Sequence, residues 1–227
     1  MQEQYILFDL DGTLTDPGEG ITKCVAFALS HFGIAVEDLT QLHPFIGPPL
    51  RYSFQTFYGL NEEETLQAIR LYRQRFAQVG WQENILYPGI ESMLSELVQQ
   101  GKTLLVATSK PEVFAVKILE HFGLAKYFTV ICGAPMDENS RSTKATVIAD
   151  AMHRAHIAKE DGLIMVGDRL HDIEGAHENG IPAIGVLYGY GDRAEHEAYG
   201  ADWIAPTVDA LKAFLISHRK DQTYGSL

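Results

Sequence analysis

Short apolar runs of strand length recur along the chain: Tyr5 to Leu10, Thr103 to Thr108, Phe128 to Cys132, Leu163 to Val166, Ala183 to Leu187 and Asp202 to Ala205. Stretches of helix length separate them. "GIESMLSELVQQG", "EVFAVKILEHFG", "TKATVIADAMHRAH", "DIEGAHENG" and "TVDALKAFLISH" mostly set apolar residues three and four apart, and several end at a glycine. Parallel strands need long crossovers and are buried on both faces. The alternation therefore predicts an α/β core of the doubly wound, Rossmann-like kind, a parallel sheet with helices on both sides.

Between the first run and the second lie about ninety residues with no convincing strand. "GITKCVAFALSHFG" puts Ile21, Val25, Leu29 and Phe32 on one helical face, and "NEEETLQAIRLYRQRFAQVG" follows an acidic first turn with Leu66, Ile69, Tyr72, Arg73 and Phe76 at helical spacing. This is the pattern of an inserted small helical domain. Its junctions fall at "DPGEG" and at "LYPGI", both rich in Pro and Gly. The expected organisation is a core of residues 1–16 and 86–227 with a helical insert over 17–85. The tail "RKDQTYGSL" is expected to fray.

A length of 227 residues suffices for a proper hydrophobic core. The 18 basic against 30 acidic residues give a formal net charge of -12, which repels polyanions and argues against nucleic acid or an acidic membrane as partner. A small anion needs a local cation to bind in such a field. The two cysteines, Cys24 and Cys132, stand far apart without a CxxC or Cys/His cluster and read as half-buried thiols in a reducing compartment. The N-terminus lacks a basic segment followed by a long apolar one, so the expectation is a soluble, cytoplasmic protein.

Ligands of an open parallel sheet bind beyond the carboxyl ends of its strands, so the residues there are the ones to collect. Asp9 and Asp11 end the first run, Thr108 and Ser109 the second, and "GDRLHD" after the fourth supplies Asp168 and Asp172. Lys144 opens the helix before the fourth run, behind Ser142 and Thr143, either of which can cap it. Each has an ordinary explanation alone: a turn dipeptide at Asp11-Gly12, helix capping at Asp168 and Asp172, a solvated helix lysine at Lys144. Four carboxylates converging with a lysine and a hydroxyl would repel one another without a cation among them. Hard oxygen ligands of this kind suit Mg²⁺, which keeps several waters and bridges to substrate phosphate.

In order and separation, "DLDGTLTD", "VATSK", Lys144 and "GDRLHD" resemble the four motifs of the haloacid dehalogenase superfamily. The insert resembles that superfamily's small helical cap domain. "FDLDGTLTDPGEGI" and "GAHENGIPAIGVLYGYG" look most like its phosphoglycolate phosphatase-like branch. The resemblance implies Asp9 as the nucleophile, since a carboxylate needs no base, forming an aspartyl-phosphate. It implies a Mg²⁺ held by Asp9, the Asp11 backbone carbonyl and Asp168, with Asp172 acting through a water. Asp11 would protonate the leaving alcohol and then activate water. Thr108, with Ser109 beside it, and the N–H groups after Asp9 would hold phosphoryl oxygens, and Lys144 would offset the developing charge.

"FIGPPLRYSF" resembles the cap loop that reaches the active site in that superfamily, which assigns Arg51 to the anionic part of the substrate; a solvated helix arginine fits it equally. Lys110 and Lys23 are weaker candidates. The nine histidines show no zinc spacing and read as surface or capping residues. The leading reading is a Mg²⁺-dependent phosphatase of a small phosphorylated metabolite, monomeric or homodimeric. Asp11 favours it over halide displacement, which needs no acid for its leaving group. 5'-Nucleotidase, pyrophosphatase and sugar phosphomutase activities fit the same scaffold. A non-catalytic phosphoacceptor domain fits poorly, because its aspartate stands on a later strand and it has no insert.

Overall fold

Ile6, Leu7 and Phe8 follow one another in sequence and all three are fully buried, which a strand covered on both faces permits. They lie in β1 (Tyr5–Phe8), the start of a computed structural model that describes residues 5–136, 143–158 and 162–217. The chain continues through β2 (Thr15–Asp16), α1 (Gly18–Ser30), α2 (Leu50–Tyr58), α3 (Glu62–Arg75) and β3 (Ile85–Leu86). After these come α4 (Ile90–Gln99), β4 (Thr103–Pro111), α5 (Glu112–His121), β5 (Phe128–Ala134), α6 (Lys144–Arg154) and β6 (Leu163–Gly167). The last elements are α7 (Leu170–Glu178), β7 (Ala183–Val186), α8 (Arg193–Ala198), β8 (Trp203–Ala205) and α9 (Val208–Ser217).

The chain divides into two compact units, Met1–Leu14 with Leu86–Leu227, and Thr15–Ile85. In the first, six strands form a sheet in the order β5-β4-β1-β6-β7-β8, every neighbouring pair parallel. All six strands anticipated from the apolar runs are present. Leu7 stands opposite Leu105 on one side and Met165 on the other. Those three pack against Ile148 of α6 and Ile173 of α7 in one buried cluster. Each such side chain stabilises the fold by about 1.5–3 kcal/mol through burial. The strand order reverses direction at β1, so the residues after β1 occupy the crevice of the switch point.

Two strand ends differ from the sequence reading. β1 stops at Phe8 rather than Leu10: the Asp9 N–H donates to Val166 O at 2.9 Å, and the chain then turns, with the Leu14 N–H on Leu10 O and Gly12 at φ 80°. β4 runs on to Pro111, with a shift in pairing register between Thr108 and Pro111. Cys24 and Cys132 are fully buried rather than half-buried, and neither is in a disulfide. Ser142 and the "RKDQTYGSL" tail lie outside the described residues. Among the described residues no helix is long and apolar enough to cross a membrane.

The second unit is helical. α3 opens on a capping box: Asn61 Oδ1 accepts the Glu64 N–H, and the Glu64 carboxylate accepts the Asn61 N–H. Its buried stripe is Thr65, Ala68, Ile69 and Tyr72, continued by Phe76, while Leu66 is half-buried. The Arg75 guanidinium holds Glu83 through two bonds of 2.6 and 3.0 Å. Among the described residues, the strands added to those anticipated are β2 and β3, two residues each, which pair with one another.

Candidate active site

Four of the anticipated groups converge beyond the C-terminal ends of β1, β4 and β6. Asp9 follows β1 directly, Asp168 follows β6, and Asp172 faces inward from the first turn of α7. Carboxylate oxygens of Asp9, Asp168 and Asp172 lie within 4.8 Å of one another, and all three residues are buried. Lys144, at the start of α6, sends its ammonium between two of them, 2.8 Å from Asp9 Oδ1 and 2.7 Å from Asp172 Oδ1, and donates to Ala107 O at 3.2 Å. Thr143 caps that helix, its Oγ1 accepting the Thr146 N–H.

The two later aspartates differ in what they have left to offer. Asp172 Oδ2 accepts the Arg169 N–H at 3.1 Å and its Oδ1 faces Lys144, so both oxygens are engaged. Asp168 Oδ2 accepts the Tyr190 N–H at 2.8 Å, and its Oδ1 is buried with no hydrogen-bond partner among the described residues. A buried, unpartnered carboxylate oxygen is costly unless a cation takes it. Gly12 makes the close approach possible: a Cβ there would sit 2.0 Å from Asp168 Oδ2, and its φ of 80° suits a residue without one.

Burial pushes the Asp168 carboxyl well above the ordinary carboxylate range, with the Asp172 and Asp9 charges adding to it. Burial likewise raises Asp172, to about 6, against the opposing pull of Lys144. Burial alone would lower the Lys144 ammonium, but Asp172 and Asp9 outweigh it and hold it above the usual lysine range. Three ionised carboxylates and one ammonium leave a formal charge of -2, which a divalent cation offsets. The donor set is all carboxylate oxygen, the kind Mg²⁺ takes.

Asp11 stands apart from the triad. Its Oδ2 accepts from Lys110 Nζ at 2.6 Å, and burial raises its carboxyl while Lys110 opposes the rise. Lys110, a weak candidate for the substrate in the sequence, is therefore buried as the partner of Asp11. Thr108 is buried within β4, just before its register shift, with its Oγ1 accepting the Lys110 N–H at 3.2 Å, whereas Ser109 is exposed.

Residues 6–186 match the profile of the haloacid dehalogenase-like hydrolases. The chain belongs to that family. A 5'-nucleotidase of Pseudomonas aeruginosa is 45% identical over 94% of this chain and 96% of its own. The tyrosine-protein kinase PtkA of Mycobacterium tuberculosis is 39% identical over 93% of this chain and 72% of its own. A phosphoglycolate phosphatase of Vibrio parahaemolyticus is 30% identical over 92% and 94%. Among solved structures, a predicted phosphatase from Clostridium acetobutylicum superposes with a TM-score of 0.91 at 48% identity, covering 96% of this chain and all of its own.

The haloacid dehalogenase-like core thus carries Asp9, Asp11, Thr108, Lys144, Asp168 and Asp172 toward the C-terminal ends of its central strands. Arg51 and Lys23 lie in the helical unit. Arg51 is ion-paired with Glu62, and Lys23 with Glu19 and Glu83. Asp16 stands one residue before the Pro17 cap of α1, its Oδ1 accepting the Gly18 N–H at 2.9 Å. One histidine contradicts the surface reading: His196 is fully buried in α8. Its six-residue helix shows no apolar periodicity, and the room for the ring is made by Gly185 and Gly191, where a Cβ would meet it.

Proposed function

We propose that this haloacid dehalogenase-like hydrolase is a Mg²⁺-dependent phosphatase of small phosphomonoesters, working through an aspartyl-phosphate on Asp9. The observation that carries this reading is Lys144 bridging Asp9 and Asp172 while Asp168 Oδ1 has no hydrogen-bond partner among the described residues. Asp9, the Asp11 backbone carbonyl and Asp168 would hold the cation, and Asp172, with both oxygens engaged, would act on it through water. When bound, the cation relieves repulsion between the Asp9 carboxylate and the phosphate dianion.

In the first half-reaction an Asp9 oxygen bonds to phosphorus as the bond to the leaving oxygen breaks, and Asp11 gives that oxygen a proton. The raised Asp11 carboxyl suits a donor, and Lys110 fixes its direction. In the second, Asp11 takes a proton from water, which attacks phosphorus and returns free Asp9. Thr108 and the N–H groups after Asp9 hold phosphoryl oxygens, while Lys144 offsets their charge. Arg51 of the helical unit, acting as a cap domain, is proposed to meet the anionic part of the substrate.

Nucleoside 5'-monophosphates are proposed as the first substrate class, supported by the near full-length similarity to a 5'-nucleotidase, with phosphoglycolate second. The test is inorganic phosphate release with Mg²⁺ across nucleoside monophosphates, phosphoglycolate, sugar phosphates, pyrophosphate and ATP. The highest kcat/KM is expected with a nucleoside monophosphate. Preference for pyrophosphate, or turnover of a sugar phosphate without phosphate release, would overturn the reading.

A further inference from the structure

His196 is a fully buried histidine that the proposed chemistry does not use. Its Nε2 lies 3.1 Å from Val186 O at the end of β7. A carbonyl oxygen only accepts, so Nε2 carries a proton, and Nδ1 is buried with no hydrogen-bond partner among the described residues. The ring packs closely on Gly185 of β7, where a Cβ would sit 2.6 Å from its Cγ. Gly191 also stands against the ring: a Cβ there would meet His196 Cε1 at 2.9 Å and Asp168 O at 2.0 Å. Two glycines thus open the space that one imidazole fills.

The loop over the ring is the one that holds Asp168. The Tyr190 N–H donates to Asp168 Oδ2, and a Cβ at Gly189 would come within 2.4 Å of Asp168 Cβ. The residue beside His196 grips the opposite flank: Glu195 accepts the Leu170 N–H at 2.8 Å and the Arg169 Nε–H at 3.0 Å. We propose that His196 is a positioning residue for Asp168. Pinned to Val186 O, its ring sets the height of the loop of residues 189–191, so that Tyr190 occupies Asp168 Oδ2 and Oδ1 alone is left for the cation. This rests on the cation reading given above only in its last step. Groups that orient a metal ligand typically contribute about 10–100-fold to metal affinity.

The experiment compares His196→Leu, which keeps volume but loses the donor, with His196→Gln, whose amide can still donate to Val186 O, and with Leu211→Ala, a buried change in α9. Hydrogen exchange of the Tyr190 amide and calorimetric titration with Mg²⁺ are read on chelator-treated protein of each. His196→Leu is expected to speed Tyr190 exchange and weaken Mg²⁺ binding about tenfold, His196→Gln to stay within about threefold of wild type, and Leu211→Ala to leave Mg²⁺ affinity unchanged. Wild-type protection of Tyr190 in His196→Leu overturns the proposal, as does an equal loss of Mg²⁺ affinity in Leu211→Ala. Absence of Mg²⁺ binding in the wild type overturns the cation reading instead, and Tyr190 exchange still decides the role of His196.

Discussion

Lys110 Nζ donates to Asp11 Oδ2 at 2.6 Å, joining residues 99 positions apart in sequence. Both side chains are largely buried, so removing the ammonium leaves a desolvated carboxylate with its direction unfixed. Lys110→Met is expected to lower kcat on the order of 10²-fold, the lower end of what a positioned acid–base group contributes, with little change in KM. Lys110→Arg is expected to recover part of it. Steady-state kinetics on one phosphate ester check this; an unchanged kcat in Lys110→Met would show that Asp11 does not depend on the pair.

Thermal unfolding with and without Mg²⁺ separates the two later aspartates. A ligand that binds only the folded state raises Tm. The increase is expected to vanish in Asp168→Asn, which loses a charged oxygen with no hydrogen-bond partner among the described residues, and to shrink without vanishing in Asp172→Asn, whose oxygens already serve Arg169 N and Lys144.

Burial pushes the Tyr188 phenol above the ordinary tyrosine range, and the nearby Asp168 charge adds to it; its hydroxyl donates to Thr13 O at 3.1 Å. Folding therefore keeps a proton that the unfolded chain releases near pH 10. Its contribution to stability is complete below that pH and is lost as pH rises beyond it. Tyr188→Phe is expected to flatten the alkaline fall in unfolding free energy, measured in urea from pH 8 to 11. An identical fall in wild type and variant would contradict the assignment.

In the helical unit, Asn61→Ala removes one half of the capping box at the start of α3. The expected cost is about 1 kcal/mol. Hydrogen exchange over residues 61–66 is expected to quicken while that over β1 is unchanged.

The six strands were legible in the sequence because a sheet buried on both faces demands uninterrupted apolar runs, and Ile6 to Phe8 is one. What was not legible arises from turns and long-range contacts. β1 ends at Phe8 because the chain turns at Leu10 and Gly12, a decision taken by backbone bonds rather than by hydropathy. Asp9, Asp11, Asp168 and Asp172 could be collected by their places after strands, yet their different partners could not. Lys110 looked like a substrate contact because nothing local ties it to Asp11. His196 looked like surface because a polar residue in a six-residue helix carries no periodic signal of burial.

The central claim is that Asp9 carries the phosphoryl group. Rapid acid quench of the enzyme turning over a phosphomonoester with Mg²⁺, followed by proteolysis and mass spectrometry, reads this directly. The peptide bearing Asp9 is expected to gain one hydroxylamine-labile phosphoryl group, absent in Asp9→Asn, which should stay folded and lose turnover. Phosphate release by Asp9→Asn at the wild-type rate, or a phosphoryl group on another residue, would contradict the account.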